Sequence, residues 1–145
     1  MKPSTYPDDE WTTIGSRIGD SLPLTVRRNT KAADRACRYQ YFHKIVVAVP
    51  LVAPDGLGMP KTSERETLFK FEEWLDQWSG GMLTLVIIGG GRATYIAYLK
   101  NAGAAQLVES RFAITLPAHQ GSLTSSFNPH PTAFHQRPME QIASA

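Results

Sequence analysis

The chain has 145 residues, of which 42% are hydrophobic and 19% are charged, and this composition fits one globular domain and excludes a disordered chain. Its formal net charge of +2 is too small to indicate nucleic-acid binding by itself. The longest apolar runs, 45–53 and 82–88, are strand-sized and fall short of the roughly 18 residues of a membrane-spanning helix.

The N-terminal residues 1–10 are polar and acidic, so they lack the basic start and apolar middle of a signal peptide. We expect them to form a flexible lead-in. Cysteine occurs once, at Cys37, so no disulfide can form within the chain. Together these features predict a cytoplasmic protein that is not associated with a membrane.

The first predicted elements are three strands. The runs 11–18 and 22–28 flank a Gly-Asp turn and predict a hairpin. The run 41–51 is almost continuously apolar, which is typical of a strand in the interior of a sheet. A loop at 52–62, rich in proline and glycine, follows it.

The clearest helix signal spans 63–77. Ser63 and Glu66 have the spacing of a capping box, in which each side chain satisfies an amide of the first turn. A Ser-Gly-Gly sequence ends the pattern. One apolar stripe lies between these ends, at spacings of three or four residues, formed by Leu68, Phe71, Leu75 and Trp78.

A second hairpin is predicted from the runs 82–88 and 93–99, which the turn 89–92 separates. Its glycines reach the positive φ angles that tight turns need. Alternation along the second run places Tyr95 and Ile96 on opposite faces of the sheet.

The C-terminal part gives weaker signals. Residues 104–109 predict a short helix and 112–116 a last strand. From residue 117 onward the chain is rich in Pro, Ser, His and Gln, so we expect 117–145 to be an irregular or partly disordered tail. The single domain then spans 11–116.

The order of elements predicts the α+β class. We expect a mixed, largely antiparallel sheet of five to six strands with one long helix on one face. The part from residue 41 onward has the β-α-β-β-α-β order of a ferredoxin-like core, and a β-hairpin precedes it.

The Gly-rich turn is a candidate ligand site, formed by Gly90, Gly91, Arg92 and Tyr95. Backbone amides and an arginine suit a phosphate group. A phosphate loop leads into a helix, however, whereas the residues after Arg92 alternate like a strand, which favours a simple hairpin turn. A small-molecule or phosphate-binding protein, or an enzyme, remains an alternative.

Charge is unevenly distributed. Basic residues concentrate in 27–44, whereas the helix at 63–77 is mostly acidic, and opposite charges suit protein recognition. RNA binding through 27–44 is a further alternative, but the strand at 93–99 lacks the RNP1 pattern. The residues assigned to a partner surface are Arg27, Arg28, Arg35, Arg38 and Trp74.

No catalytic or metal-binding constellation is expected. The histidines lack nearby ligands at metal-site spacing, so we interpret them as solvated surface residues. The carboxylates of the predicted helix are interpreted as a solvated face. Cys37 lies between Arg35 and Arg38, but no histidine is placed to act as its base. We therefore predict no cofactor, no metal and no catalytic residue.

Several short motifs occur in a characteristic order. A Gly-Met-Pro loop at 58–60 precedes a helix with a Phe-Glu-Glu-Trp centre at 71–74, and a Gly-Gly-Gly-Arg turn precedes a strand that carries Tyr95. Over about residues 11–101 this pattern resembles a bacterial family known as domain of unknown function 695.

The resemblance implies a binding role. The family is sometimes joined to a domain similar to the regulator of ribonuclease E activity, which implies association with proteins. After residue 102 the chain departs from the family pattern, which continues with a helix and an Asp-Pro-x-Trp-like ending; residues 128–130 are the nearest match, and no Trp follows them. We therefore expect a non-enzymatic protein-interaction module, a regulator or an immunity-type inhibitor, with an unknown protein partner. Edge strands also favour a homodimer.

Overall fold

A computed structural model of the chain describes residues 11–18, 22–29, 40–78 and 80–127. The strands in this part are β1 (Trp11–Ile18), β2 (Leu22–Asn29), β3 (His43–Pro50), β4 (Gly81–Gly89), β5 (Arg92–Leu99) and β6 (Ser122–Phe127). The helices are α1 (Thr62–Gln77) and α2 (Ala104–Thr115). None of the helices in these residues combines the length and the apolarity needed to cross a bilayer.

The six strands form one sheet in the order β1-β2-β4-β5-β3-β6, and all five neighbouring pairs are antiparallel. The α+β class is therefore confirmed. Both predicted hairpins are present, as β1–β2 and β4–β5. β3 lies in the interior of the sheet between β5 and β6, as its apolar run predicts.

The β4–β5 hairpin turns through two glycines. Gly90 has φ 64° and Gly91 has φ 77°, the combination that a two-residue hairpin turn with a matching twist requires. The glycine-rich sequence therefore reverses the chain between two strands, as predicted. The turn also contacts the preceding loop, because the Leu51 amide donates a hydrogen bond to the Gly91 carbonyl at 2.9 Å.

α1 begins one residue before the predicted start and ends at the predicted residue. The predicted capping box is wrong, because Lys61 is the N-cap and no side chain caps the first turn. The earlier start puts Ser63 inside that turn, where its hydroxyl cannot reach the amides that a capping residue serves. Glu66 is exposed instead of reaching back.

α2 runs well past the predicted end at residue 109, so the predicted strand at 112–116 is wrong. Ala104, Val108 and Phe112 recur every four residues and are buried, so a helix places them on one face. The predicted long helix is present as α1, but it is not the only long helix on the sheet, because the short helix predicted at 104–109 extends to residue 115. The last strand, β6, lies in the segment predicted to be irregular.

Two groups of buried side chains lie on opposite faces of the sheet. The larger group joins the sheet to α1 and α2, and Tyr95 and Ala97 belong to it. Ile96 and Tyr98 belong to the second group. This division confirms the alternation predicted for β5, and it puts both helices against the same face.

Candidate functional site

A cleft of about 220 Å³ lies where α1 borders the sheet. Most of the surface that lines it is apolar. From the sheet the lining residues are Arg27 on β2, Ile88 on β4 and Tyr95 on β5, and from the helix they are Arg65, Leu68, Phe69 and Glu72.

The helical period brings the four α1 residues together. Residues three and four apart lie on the same side of a helix, so Arg65 and Phe69 are neighbours, as are Leu68 and Glu72. Leu68 is buried in the core, whereas Phe69 keeps 47% of its surface exposed. The α1 residues that line the cleft therefore range from buried, at Leu68, to solvent-exposed, at Phe69.

Strand alternation brings the sheet residues to the same place. Val26 faces the group of buried residues opposite the helices, so Arg27 projects toward α1. Arg27 pairs with Val86 on β4, and Val86 pairs with Tyr95 on β5. Arg27 and Tyr95 of this row form the floor of the cleft together with Ile88, which lies two residues beyond Val86 on the same face of β4.

Arg27 and Glu72 form an ion pair across the cleft floor. Glu72 is only 8% exposed, so this carboxylate is not part of a solvated helix face, and that prediction is wrong for it. A nearly buried carboxylate requires a partner. Periodicity along α1 could not reveal the partner, because it lies on another element.

Tyr95 lies at the inner end of the cleft and is almost completely buried. Its hydroxyl lies 3.5 Å from the Leu68 carbonyl oxygen, to which it donates a hydrogen bond. Burial, with a smaller contribution from the Glu72 carboxylate, raises the pKa of Tyr95 well above its usual value. The phenol therefore keeps its proton at neutral pH and acts as a donor.

A wider, shallow depression adjoins the cleft on the solvent side. Its volume is about 540 Å³, and the residues around it are Arg65, Glu66, Phe69 and Lys70. Arg65 and Phe69 border both the cleft and the depression. An exposed aromatic ring is therefore flanked by charged side chains at the entrance of an apolar cleft.

The predicted ligand site is brought together only in part. Tyr95 lines the cleft, whereas Gly90, Gly91 and Arg92 are not among its lining residues. The Gly91 amide donates a hydrogen bond to the Gly58 carbonyl at 2.8 Å, so it is engaged within the protein. Arg92 is exposed at the start of β5.

The residues predicted to form one partner surface do not lie together either. Arg27 lines the cleft, and the half-buried Arg28 follows it on β2, on the opposite side of the strand. Trp74 is half-buried and stacks on Trp78 at 4.6 Å between ring centroids. Arg35 and Arg38 lie outside the described residues, as does Cys37.

A second polar cluster lies at the start of α1. His119 Nε2 lies 2.7 Å from a Glu64 carboxylate oxygen, and both side chains are less than 10% exposed, at 6% and 8% respectively. The Val52 and Ala53 amides donate to the same carboxylate at 2.6 and 3.3 Å. The predictions of a surface His119 and a solvated Glu64 are therefore wrong.

The histidines and acids of the described segments do not cluster in threes as a metal site requires. Two further histidines, His130 and His135, lie outside those segments. The roles of Arg65, Phe69 and Glu72 were not predicted from the sequence, although their spacing places them on one side of α1.

Comparison with known families places the chain. The model of a family of unknown function, DUF695, matches residues 9–136. The chain belongs to this family. The DUF695 match extends beyond the 11–101 that the motifs indicated, so it includes α2 and β6 as well as the cleft. Neither a curated protein nor a solved structure gives a significant match.

Proposed function

We propose that this DUF695 chain is a non-enzymatic protein-interaction module, a regulator or inhibitor, and that its binding surface is the cleft between α1 and β2 with the adjoining depression. The size of the cleft carries this proposal. Pockets for cofactors and drug-sized ligands usually measure about 300 to 1,000 Å³. The cleft, at about 220 Å³, is smaller, and the adjoining depression of about 540 Å³ is wide and shallow and does not enclose a ligand. A cavity of about 150 Å³ holds one benzene ring, so the cleft fits a single apolar side chain of a partner.

The chemistry of the surface supports the same function. Phe69 is an exposed aromatic side chain beside an apolar cleft, and Arg65 lies one helical turn from it. Aromatic and arginine side chains dominate the energetics of protein interfaces. The polar groups on the cleft floor, Arg27 and Glu72, already satisfy each other.

Site-specific photo-crosslinking in the native host tests this function. A benzoylphenylalanine at position 69 is expected to form a covalent adduct with one specific protein. The matched control is position 107, because Leu107 is also exposed, at 58%, but lies on α2. Adducts of equal yield from both positions, or none from position 69, would contradict the proposal.

The crosslinked partner is then purified and titrated by calorimetry. Phe69→Ser is expected to weaken binding by at least about tenfold, because truncation of a central interface anchor costs 2 kcal/mol or more. Leu107→Ser is expected to change the affinity less than twofold. A purified partner that binds both variants equally would contradict the assignment of the surface.

A small-ligand function is the second candidate, because a phenol, Tyr95, and a guanidinium, Arg27, both line the cleft. A thermal-shift screen with nucleotides and phosphates discriminates it. A ligand at 100 times its Kd stabilises the folded state by about 2.7 kcal/mol. An upward shift that Arg27→Met abolishes would favour this function over the protein-interaction module.

We also infer that β3 to β6 form a ferredoxin-like core. The strand order β4-β5-β3-β6, with α1 after β3 and α2 after β5, supports this inference. NMR cross-strand contacts that pair β6 with a strand other than β3 would contradict it.

A bacterial, cytoplasmic location is proposed from the family and the single cysteine, and fractionation of host cells tests it.

A further inference from the structure

We infer that the partner presents an apolar side chain beside a carboxylate, so that the apolar group enters the cleft and the carboxylate binds Arg65. This inference rests on the proposed interaction function and adds the class of partner to it. Three observations carry it: the charge balance of the cleft, the position of Arg65 beside Phe69, and the size of the cleft.

The charge balance leaves one cation at the entrance of the cleft. Three charged residues line the cleft, namely Arg27, Arg65 and Glu72. Glu72 is nearly buried and pairs with Arg27, so these two charges compensate each other. Within the described residues no carboxylate lies at ion-pair distance from Arg65. Its guanidinium makes one long contact, of 3.4 Å, with the Pro60 carbonyl.

The neighbouring charges do not reverse this balance. Glu66 and Lys70 border the outer depression but not the cleft itself. They lie four residues apart on α1, where opposite charges offset each other. The Asp55 carboxylate, in the loop before α1, interacts electrostatically with Arg65 but forms no ion pair with it. Arg65 is therefore the charge lining the apolar cleft that has no ion-pair partner among the described residues.

The geometry of Arg65 suits a carboxylate. Arg65 and Phe69 are one helical turn apart and border the same opening. A planar guanidinium can bind both oxygens of a carboxylate, and it holds a fixed orientation when it does so. A side chain that fills the cleft beside Phe69 would bring the neighbouring residue of the partner within reach of Arg65. An aspartate or glutamate at that neighbouring position gives the complementary charge.

Selection of random displayed peptides on the full chain tests the inference. Selected peptides are expected to carry an apolar residue within one or two positions of Asp or Glu. A representative synthetic peptide is then titrated by calorimetry against the wild type and three variants, which are Arg65→Glu, Lys100→Glu and Phe69→Ser. Arg65→Glu is expected to weaken its binding by about tenfold or more, since a hydrogen bond to a charged group contributes 1.5 kcal/mol or more.

Lys100→Glu is the matched control, because it makes the same change of charge at an exposed position outside the cleft. It is expected to change the affinity less than twofold. Salt near 1 M, where charges are screened beyond about 3 Å, should reduce the difference between Arg65→Glu and the wild type. An equal loss for Lys100→Glu would mean that only net charge matters, and it would overturn the inference.

The outcomes separate this inference from the proposed function. Peptides whose binding requires Phe69 but neither an acidic residue nor Arg65 would overturn the inference and leave the interaction surface intact. Selected peptides that bind Phe69→Ser as well as the wild type would contradict the surface itself. Enrichment of Lys or Arg on the Arg65→Glu variant would support the inference directly, because the preferred charge follows residue 65.

Discussion

The guanidinium of Arg27 on β2 forms an ion pair with the carboxylate of Glu72 on α1, although 45 residues separate them in the chain. Glu72 is nearly buried, whereas the Arg27 side chain keeps 34% of its surface exposed. The pair attaches the N-terminal hairpin to the helix above the sheet, and both of its residues line the cleft. The basic strand and the acidic helix therefore meet at this point.

Glu72→Gln is expected to lower the free energy of unfolding by about 1 to 3 kcal/mol, because a charge-assisted hydrogen bond is lost where little water can replace it. Combining Arg27→Met with Glu72→Met is expected to recover part of this loss, since neither charge is then left unpaired. Urea unfolding measures both changes. Glu73→Gln is the matched control, because the described residues give Glu73 no hydrogen bond or ion pair. Equal losses for the two Gln variants would show that the pair does not stabilise the fold.

Gly58→Ala is expected to destabilise the protein by about 2 kcal/mol or more. Gly58 has φ 79°, which costs an L-residue about 1 to 2 kcal/mol, and an added Cβ would lie 2.9 Å from the Gly91 amide nitrogen. Gly56→Ala is the control in the same loop, because a Cβ there meets no atom within 4 Å. We expect it to be neutral or stabilising by up to about 1 kcal/mol. Thermal unfolding of both variants checks this order, and an equal effect would contradict it.

The elements with strong local signals were predictable from the sequence. The Gly-rich turn between two apolar runs predicts the β4–β5 hairpin, because only glycine adopts the positive φ angles of Gly90 and Gly91 readily. The apolar stripe from Leu68 to Trp78 predicts α1, because residues three and four apart on a helix share one side and this spacing can be seen within the segment itself. In both cases the decisive information lies within about 20 residues of sequence.

The elements that depend on distant partners were not predictable. β6 is a mostly exposed Ser- and Thr-rich strand without alternation, and pairing with β3 defines it. In the sequence, Glu64 and Glu72 have the pattern of surface carboxylates. In the fold, Glu64 contacts His119, which is 55 residues away, and Glu72 contacts Arg27, which is 45 residues away. The cleft was not predicted for this reason, because three of its lining residues belong to three separate strands.

Glu64→Gln is expected to flatten the acid side of the pH–stability profile. Burial alone raises the pKa of Glu64, but hydrogen bonds from the Val52 amide, His119 and the Ala53 amide outweigh it and hold the pKa below 4.5. A carboxyl group with a lowered pKa in the folded state stabilises it above the pKa of the unfolded chain, and this stabilisation is lost as the pH falls through the folded value.

The cost of Glu64→Gln should therefore be about 1 to 3 kcal/mol at pH 6 and should shrink below about pH 4.5. Urea unfolding across a pH series measures the difference between variant and wild type. Glu66→Gln is the control, since Glu66 is exposed two residues further along α1. Parallel profiles for Glu64→Gln and the wild type would contradict the assigned role of the carboxylate.

Arg111→Gln is expected to loosen the contact between the two helices. The Arg111 guanidinium carbon lies 5.2 Å from the Trp74 ring centroid, and Trp74 stacks on Trp78, the residue that follows the end of α1. A cation over an indole ring contributes about 0.5 to 1 kcal/mol at a partly exposed site, so we expect a loss of that size in urea unfolding. Acrylamide should quench tryptophan emission more strongly in this variant, because the ring loses its cover. Arg111→Lys should restore part of both effects, since it retains the cation, whereas equal quenching of Arg111→Gln and the wild type would mean that the guanidinium does not shield Trp74.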